Sequence, residues 1–236
     1  MTSLSIIIPC YNRWKFTAHT LDSLLLLDKK YDIEIIVSDD GSSDETSEAI
    51  KYYFTNDQVK YVRNDVNEGF AKATGKAYTI SKGEVVLFLN NDIKIKDKFN
   101  NWVDVLFDAA DNNPNALMGP LGGFVDPKNN FIFCYETGDN DRKINYISGF
   151  CIFAKRNLFD KLILDNSQGP FDEEFKFYFE DGDLSFRNIA LGNQLKLIQL
   201  PIQHIGKVSS NQLNIYKLYN AGRQIFLKKW KNKVKE

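Results

Sequence analysis

The sequence predicts an α/β protein with a Rossmann-like, mostly parallel central sheet flanked by helices and a smaller mixed region after it. Two observations carry this expectation. Through the first half, short and nearly continuous apolar runs alternate with segments of helical period, the pattern of strands buried on both faces by crossover helices. Several of these runs also end in clusters of polar residues, at the carboxyl ends of strands, where open parallel sheets take their ligands.

The elements follow in order. "LSIIIPC" is a first β-rich run, and "WKFTAHTLDSLLLLDKK" has helical periodicity and a charged end. "IEIIVSDD" is a second strand. "SSDETSEAIKYYFTND" opens with capping residues and sets Glu45 and Glu48 near the positive end of a helix. "VKYVRN", the helical "GFAKATGKAYTIS" and the strand "EVVLFLNND" complete the regular half. Beyond it, "ALMGPLGGFV" and "NNFIFCYETG" read as short strands with glycine-rich connections, and "NYISGFCIFAKRNLFDKL" as a strand running into a helix. A helix is expected to start near Asp181. "LKLIQLPIQHIG" is a last strand, which Pro201 confines to an edge, and the basic tail is helical. Without repeats or linkers, residues 1–236 are expected to form a single domain.

Composition excludes several classes. The 236 residues are 43% hydrophobic and 26% charged, an ordinary globular balance, and the net charge of -1 exerts no overall pull on nucleic acid. Cys10, Cys134 and Cys151 lack the spacing of a disulfide framework or a structural zinc site. The N-terminus has neither the charged start nor the long apolar region of a signal peptide, and no apolar run is long enough to span a bilayer, so a cytoplasmic location is expected.

Three successive strand ends would deliver polar groups to one edge: "PCYNR" (Pro9 to Arg13), "SDDGSSD" (Ser38 to Asp44) and Asn90-Asn91-Asp92. Turn chemistry explains part of this, since Asn and Asp favour turns. Capping of the next helix accounts for one of Ser42, Ser43 and Asp44 but not for both Asp39 and Asp40, and Gly41 permits a tight turn. Tyr11 stacks on a base or finishes the core. In "FYFEDGDLSFR", Glu180, Asp181 and Asp183 lie among aromatics; carboxylates in apolar surroundings have raised pKa values unless a cation or donor compensates, which is how a general base is tuned, although acids also favour a helix N-terminus. His204 follows a strand and with Asp92 offers an imidazole and a carboxylate to a divalent cation, whereas His19 lies mid-helix in a structural position.

In this order, "SIIIPCYNR", "IIVSDDGSSDET", "NEGFAKATGKAY", "GEVVLFLNNDIKI", "SGFCIFAKRNLFD", "FDEEFKFYFEDGDLSFR" and "HIGKVSS" resemble the inverting family 2 glycosyltransferases with the GT-A fold, over nearly the whole chain. The "LNND" and "FYFEDGDLSFR" pair looks most like the rhamnosyltransferase-type branch. The resemblance implies a nucleotide-sugar-binding half (1–95), an acceptor-binding half (96–206) and a C-terminal basic helix (207–236). It implies that Pro9 and Tyr11 border the base and that Asp40 accepts the N3–H of uracil or thymine. Asp39 would support Asp40 or reach the ribose. Asn90-Asn91-Asp92 would be the DxD element, with Asn91 beside the nucleotide and Asp92 coordinating Mn2+ or Mg2+ on the donor diphosphate. Asp181 would be the general base and Glu180 its orienting partner or an acceptor contact, while His204 would be a second metal ligand or a diphosphate contact. The donor would be UDP- or dTDP-linked and the acceptor a glycan or lipid-linked glycan. The chain departs from the pattern at Asn90, where the first acid is missing, and at Gly75 and Ala77, where the rhamnosyl branch often has Asn and Gly.

Two rival readings are a nucleotidyltransferase that makes the sugar nucleotide and a non-catalytic nucleotide-sugar-binding module. The first would carry a glycine-rich basic loop after its first strand, and "PCYNRWKF" has no glycine. Intact Asp40, Asp92, Asp181 and His204 speak against the second. In the tail, Arg223, Lys228, Lys229, Lys231, Lys233 and Lys235 interleave with Ile225, Phe226, Leu227 and Trp230. That pattern makes either a helix packed on the domain or a basic amphipathic surface for peripheral membrane contact.

Overall fold

The computed structural model describes residues 2–27, 30–53, 59–96, 101–205 and 212–233. The elements are β1 (Ser3–Cys10), α1 (Trp14–Leu25), β2 (Asp32–Asp39), α2 (Thr46–Tyr53), β3 (Val59–Arg63), α3 (Phe70–Ile80), β4 (Val85–Leu89), β5 (Ile93–Ile95) and α4 (Trp102–Asn112). They continue with β6 (Ala116–Gly119), β7 (Gly122–Asp126), β8 (Ile132–Thr137), β9 (Tyr146–Ile147), β10 (Cys151–Lys155), α5 (Arg156–Asp160), α6 (Glu180–Ala190), β11 (Gln194–Leu197), β12 (Ile202–His204) and α7 (Gln212–Trp230).

A seven-stranded sheet has the order β11-β6-β10-β4-β1-β2-β3, in which β10 alone runs antiparallel to its neighbours. The apolar runs are continuous because both sheet faces are covered. Leu4, Ile6 and Ile8 of β1 and Val85, Leu87 and Leu89 of β4 pack on one side with Leu21 and Leu24 of α1 and Trp102 and Leu106 of α4. Ile7, Val86 and Phe88 face the other way, against Ala77 and Tyr78 of α3, Phe159 of α5 and Leu184 of α6. The three cysteines are unpaired, and β11 lies at the sheet edge, ahead of Pro201.

Two smaller sheets complete the fold. Strands β8-β7-β9 form an antiparallel set, and β5 pairs with β12 in a short antiparallel ribbon. The ribbon and α4 were not among the expected elements, and both bear on the site: the ribbon carries His204, and α4 closes one face of the sheet behind it.

The tail packs inward. Phe226 and Trp230 of α7 are buried against Phe131, Phe175 and Phe186, with Ile225 and Leu227 partly buried on the same cluster. The apolar side of the helix is therefore covered by protein, as in the first of the two alternatives, a helix packed on the domain. Lys235 lies outside the described residues. Among the described residues, no helix is long and apolar enough to cross a membrane.

Polar contacts lock α7 to α6. The fully buried Asp183 accepts from Arg187 Nε at 2.7 Å and from Trp230 Nε1 at 2.8 Å, and pairs with Lys229 Nζ at 2.8 Å. Asp183 is thus structural. Replacing it with Ala leaves the indole N–H of Trp230 without its acceptor and takes from Arg187 and Lys229 their shared carboxylate, although Arg187 keeps two carbonyls and Lys229 keeps Asp172, and an expected loss of about 3 kcal/mol of stability follows. Urea denaturation measures it; a loss below about 1 kcal/mol would mean that apolar contacts alone hold α7.

Candidate active site

The carboxyl ends of β1, β2 and β4 open into a cleft of about 940 Å3, lined among others by Pro9, Tyr11, Asp40, Asn90, Asn91, Asp92 and Glu180. Three strand ends thus meet in one place, as their polar clusters implied. Tyr11 is 48% exposed at the rim and does not finish the core.

The first two loops are tied together. Asn12 N–H donates to Ser42 Oγ at 2.7 Å, Ser43 N–H to Asn12 Oδ1 at 2.7 Å, and Arg13 N–H to Asp44 Oδ2 at 2.5 Å. Asp44 also accepts from Thr46 N–H at the start of α2, which is the expected helix capping. Asn12 and Arg13 both adopt left-handed backbone, with φ of 55° and 60°, a strained turn held by these bonds. Gly41 has φ +75°, and a Cβ there would lie 2.5 Å from the carbonyl carbon of Val66, so the turn requires glycine.

The adjacent acids divide between the two sides of a strand end. Asp39 is fully buried and does not line the cleft; it accepts from Tyr61 Oη at 2.7 Å, Arg63 Nη1 at 2.5 Å and Ser42 N–H at 2.8 Å. That corrects the ribose alternative, since its carboxylate is committed to shaping the loop. Asp40 does line the cleft. Its Oδ1 accepts from Asn64 Nδ2 and Glu68 N–H, both at 2.9 Å, and its Oδ2 from Gly69 N–H at 2.8 Å. Those bonds fix the carboxylate and leave lone-pair capacity on Oδ2.

The third loop and the ribbon join Asp92 to His204. Pairing of His204 with Ile93 across the ribbon, and the Ile205 N–H donated to Asp92 O at 2.9 Å, bring the two side chains together. His204 Nε2 lies 3.0 Å from Asp92 Oδ1, yet that buried oxygen accepts no hydrogen bond. The imidazole stacks on Phe150, with centroids 4.8 Å apart and planes 4° from parallel, and its Nε2 is 3.4 Å from Asn90 Nδ2. Asn91 donates from Nδ2 to Thr17 Oγ1 at 2.9 Å, anchoring the loop to α1. Among the described residues, no three His, Cys, Asp or Glu side chains cluster as a cation site.

Glu180 and Asp181 open α6. Glu180 lines the cleft, and its buried Oε2 has no hydrogen-bond partner. Asp181 lies behind it, with Oδ2 accepting from Gly149 N–H at 2.8 Å and Oδ1 from Gly182 N–H at 2.7 Å. Burial raises both carboxyls above their ordinary range. For Glu180 the charge of Asp181 adds to the rise, while for Asp181 the two N–H donors oppose it. A raised folded-state pKa in an acid means that stability falls as pH climbs from the unfolded value through the folded one. Glu180→Gln is therefore expected to raise the melting temperature at neutral pH and to change little near pH 4; an unchanged or lower value at neutral pH would contradict the assignment.

Sequence alone assigns no role to Gly149 or Phe150, although both lie in "SGFCIFAKRNLFD". Nor does it find Lys176, Tyr178 or Lys217, which also line the cleft. The glycine and serine beside Phe150 mark a close backbone approach, which was the available signal.

This architecture, with a mostly parallel sheet, one antiparallel insertion and a cleft at the strand ends, is that of the GT-A glycosyltransferases. The family profile for glycosyl transferase family 2 matches residues 5–163, and the chain belongs to that family. The matched span includes the first three loops and stops before Glu180, Asp181 and His204. Among curated proteins, the chain is 25% identical over 139 residues to glycosyltransferase GlyG of Streptococcus pneumoniae, covering 58% of this chain and 44% of that one. It is 34% identical over 120 residues to chondroitin synthase of Escherichia coli, covering 50% and 17% respectively. The chain spans less than half the length of these relatives. Two solved structures share the fold. GalNAc-T7, crystallised with UDP, GalNAc and Mn2+, is 18% identical with a TM-score of 0.77, covering 99% of this chain and 49% of that one. TarS of S. aureus in complex with UDP is 18% identical with a TM-score of 0.58, covering 100% and 67%.

Proposed function

We propose that the chain transfers a sugar from a UDP- or dTDP-linked donor to a hydroxyl of a glycan or lipid-linked glycan, with inversion, in a single displacement that depends on Mn2+ or Mg2+. One observation carries the reading. Asp92 Oδ1 is buried without a hydrogen bond, 3.0 Å from His204 Nε2, in the cleft that Glu180 also lines. A carboxylate oxygen and an imidazole nitrogen 3.0 Å apart, with no hydrogen bond joining them, suit two ligands of one cation. Asp92 and His204 would hold it, and the donor diphosphate and water would complete its shell. When bound, the cation neutralises charge on the leaving diphosphate.

The chain's own residues do the rest. Tyr11 stacks on the base beside Pro9, and Asp40, held by its three donors, accepts the base N3–H. Asn91 keeps the Asp92 loop in place through Thr17. Asp181 takes the proton of the acceptor hydroxyl as the new bond forms. Two N–H donors orient its carboxylate, and burial beside Glu180 keeps it basic. Within the family, the motif pair "LNND" and "FYFEDGDLSFR" favours a rhamnosyltransferase-like branch.

Thermal shift with UDP, dTDP and GDP, each with and without Mn2+, tests this reading. Metal-dependent stabilisation by UDP or dTDP supports it, and a response to GDP alone would overturn the role of Asp40. The raised carboxyls add a pH prediction. A base works deprotonated, so kcat/KM should rise with pH through an apparent pKa that belongs to the pair and lies above the ordinary carboxylate range. A profile that is flat from pH 5 upward would remove the pair from proton transfer.

A further inference from the structure

The segment ahead of the carboxylate pair is strained, and only one of its two rings packs into the aromatic cluster beneath α7. Tyr178 and Phe179 have φ of 65° and 72°, left-handed backbone that bulky aromatics rarely adopt. Helix α7 holds them there. A Cβ on Gly222 would lie 2.6 Å from the carbonyl oxygen of Tyr178 and 2.8 Å from that of Phe177, so the helix seats directly on the backbone of this segment. Phe179 turns inward, its ring 5.5 Å from Phe226 and 5.0 Å from Tyr219. Tyr178 turns the other way. It is 37% exposed, lines the cleft, and meets Tyr219 at 6.0 Å with the ring planes 63° apart.

Strain that sets a large ring on a cleft wall calls for a ligand-side reason. We propose that Tyr178, backed by Tyr219, is an aromatic ledge on which a pyranose ring of the acceptor stacks as its hydroxyl meets the carboxylate pair. The proposal rests on the transferase reading above and gives its acceptor a chemical class: a cyclic sugar, not an acyclic polyol or polyol phosphate. Three features support it. The ledge is adjacent in sequence to Glu180 and Asp181, whereas the ring suited to a nucleobase, Tyr11, belongs to the β1 end of the cleft. The C–H-rich face of a pyranose matches an apolar ring, while its hydroxyls match the polar rim of a tyrosine. Tyr216, 69% exposed one helical turn before Tyr219 (40%), extends the same face outward for a longer glycan.

Saturation-transfer NMR on the full chain with UDP and Mn2+ tests the ledge. The probes are the methyl pyranosides of glucose, galactose, rhamnose and N-acetylglucosamine, with sorbitol and glycerol phosphate as acyclic controls. Ring-proton saturation is expected for at least one pyranoside and for neither control. It should fall about five- to tenfold in Tyr178→Ala, the scale of one aromatic contact, and persist in Tyr178→Phe. UDP stabilisation should be the same in all three proteins, which shows that the variants are folded with their donor site intact. No pyranoside signal in the wild type, or an equal signal in Tyr178→Ala, would overturn the ledge while UDP stabilisation kept the donor reading. Pyranoside signals without UDP stabilisation would overturn the donor reading and leave the ledge standing.

Discussion

Asp181→Asn is expected to lower kcat by about a thousandfold while leaving UDP stabilisation unchanged. The amide keeps the size of the carboxylate and can accept from one of the two N–H groups that orient it, but it cannot take a proton. The acceptor hydroxyl then attacks with its proton still in place, and the loss falls on the chemical step. Donor binding does not involve this side chain, so a collapse of the UDP thermal shift would mean that the substitution disturbed the fold instead. Glu180→Gln provides the control within the pair. It keeps the size of the side chain, removes the second carboxyl of the pair and should cost less turnover. If Glu180→Gln abolishes turnover and Asp181→Asn does not, the proton goes to Glu180, the member of the pair that lines the cleft and has a buried oxygen without a hydrogen bond.

Asp92→Asn is the second large effect. It leaves His204 as the remaining proposed ligand of the cation, with the Asn90 amide 3.4 Å from its Nε2. Turnover should fall by about a hundredfold or more, and the Mn2+ dependence of UDP stabilisation should weaken with it. Raising Mn2+ should recover part of the activity, because the defect is in affinity. Recovery by Mn2+ distinguishes this variant from Asp181→Asn, which no cation concentration repairs. Full activity with unaltered Mn2+ dependence would remove Asp92 from the mechanism.

The parallel half of the fold was legible because strands such as Val85–Leu89 are buried on both faces and carry no polar alternation to confuse them. Helix α4 was missed, although Trp102, Val103, Leu106, Ala109 and Ala110 follow a helical period; its start has no side-chain cap to announce it. The β5–β12 ribbon was not legible. Three residues are too few to show a period, and the partners lie in opposite halves of the chain. This decides what could be read of the site. Asp92 and His204 could each be nominated from their residue type and neighbours, while their meeting depends on a pairing that no local pattern encodes. Asp39 and Asp40 show the same limit at smaller scale. Both are acids at a strand end, and only the presence of Tyr61 and Arg63 on β3 shows which one turns inward.

The ribbon has a consequence for how the molecule comes into being. The three strand-end loops are complete soon after β4 is made, but His204 arrives with β12, so under the proposed function the second cation ligand is synthesised long after the residues that border the base. Closing that long interval carries a loop entropy that local helix formation does not.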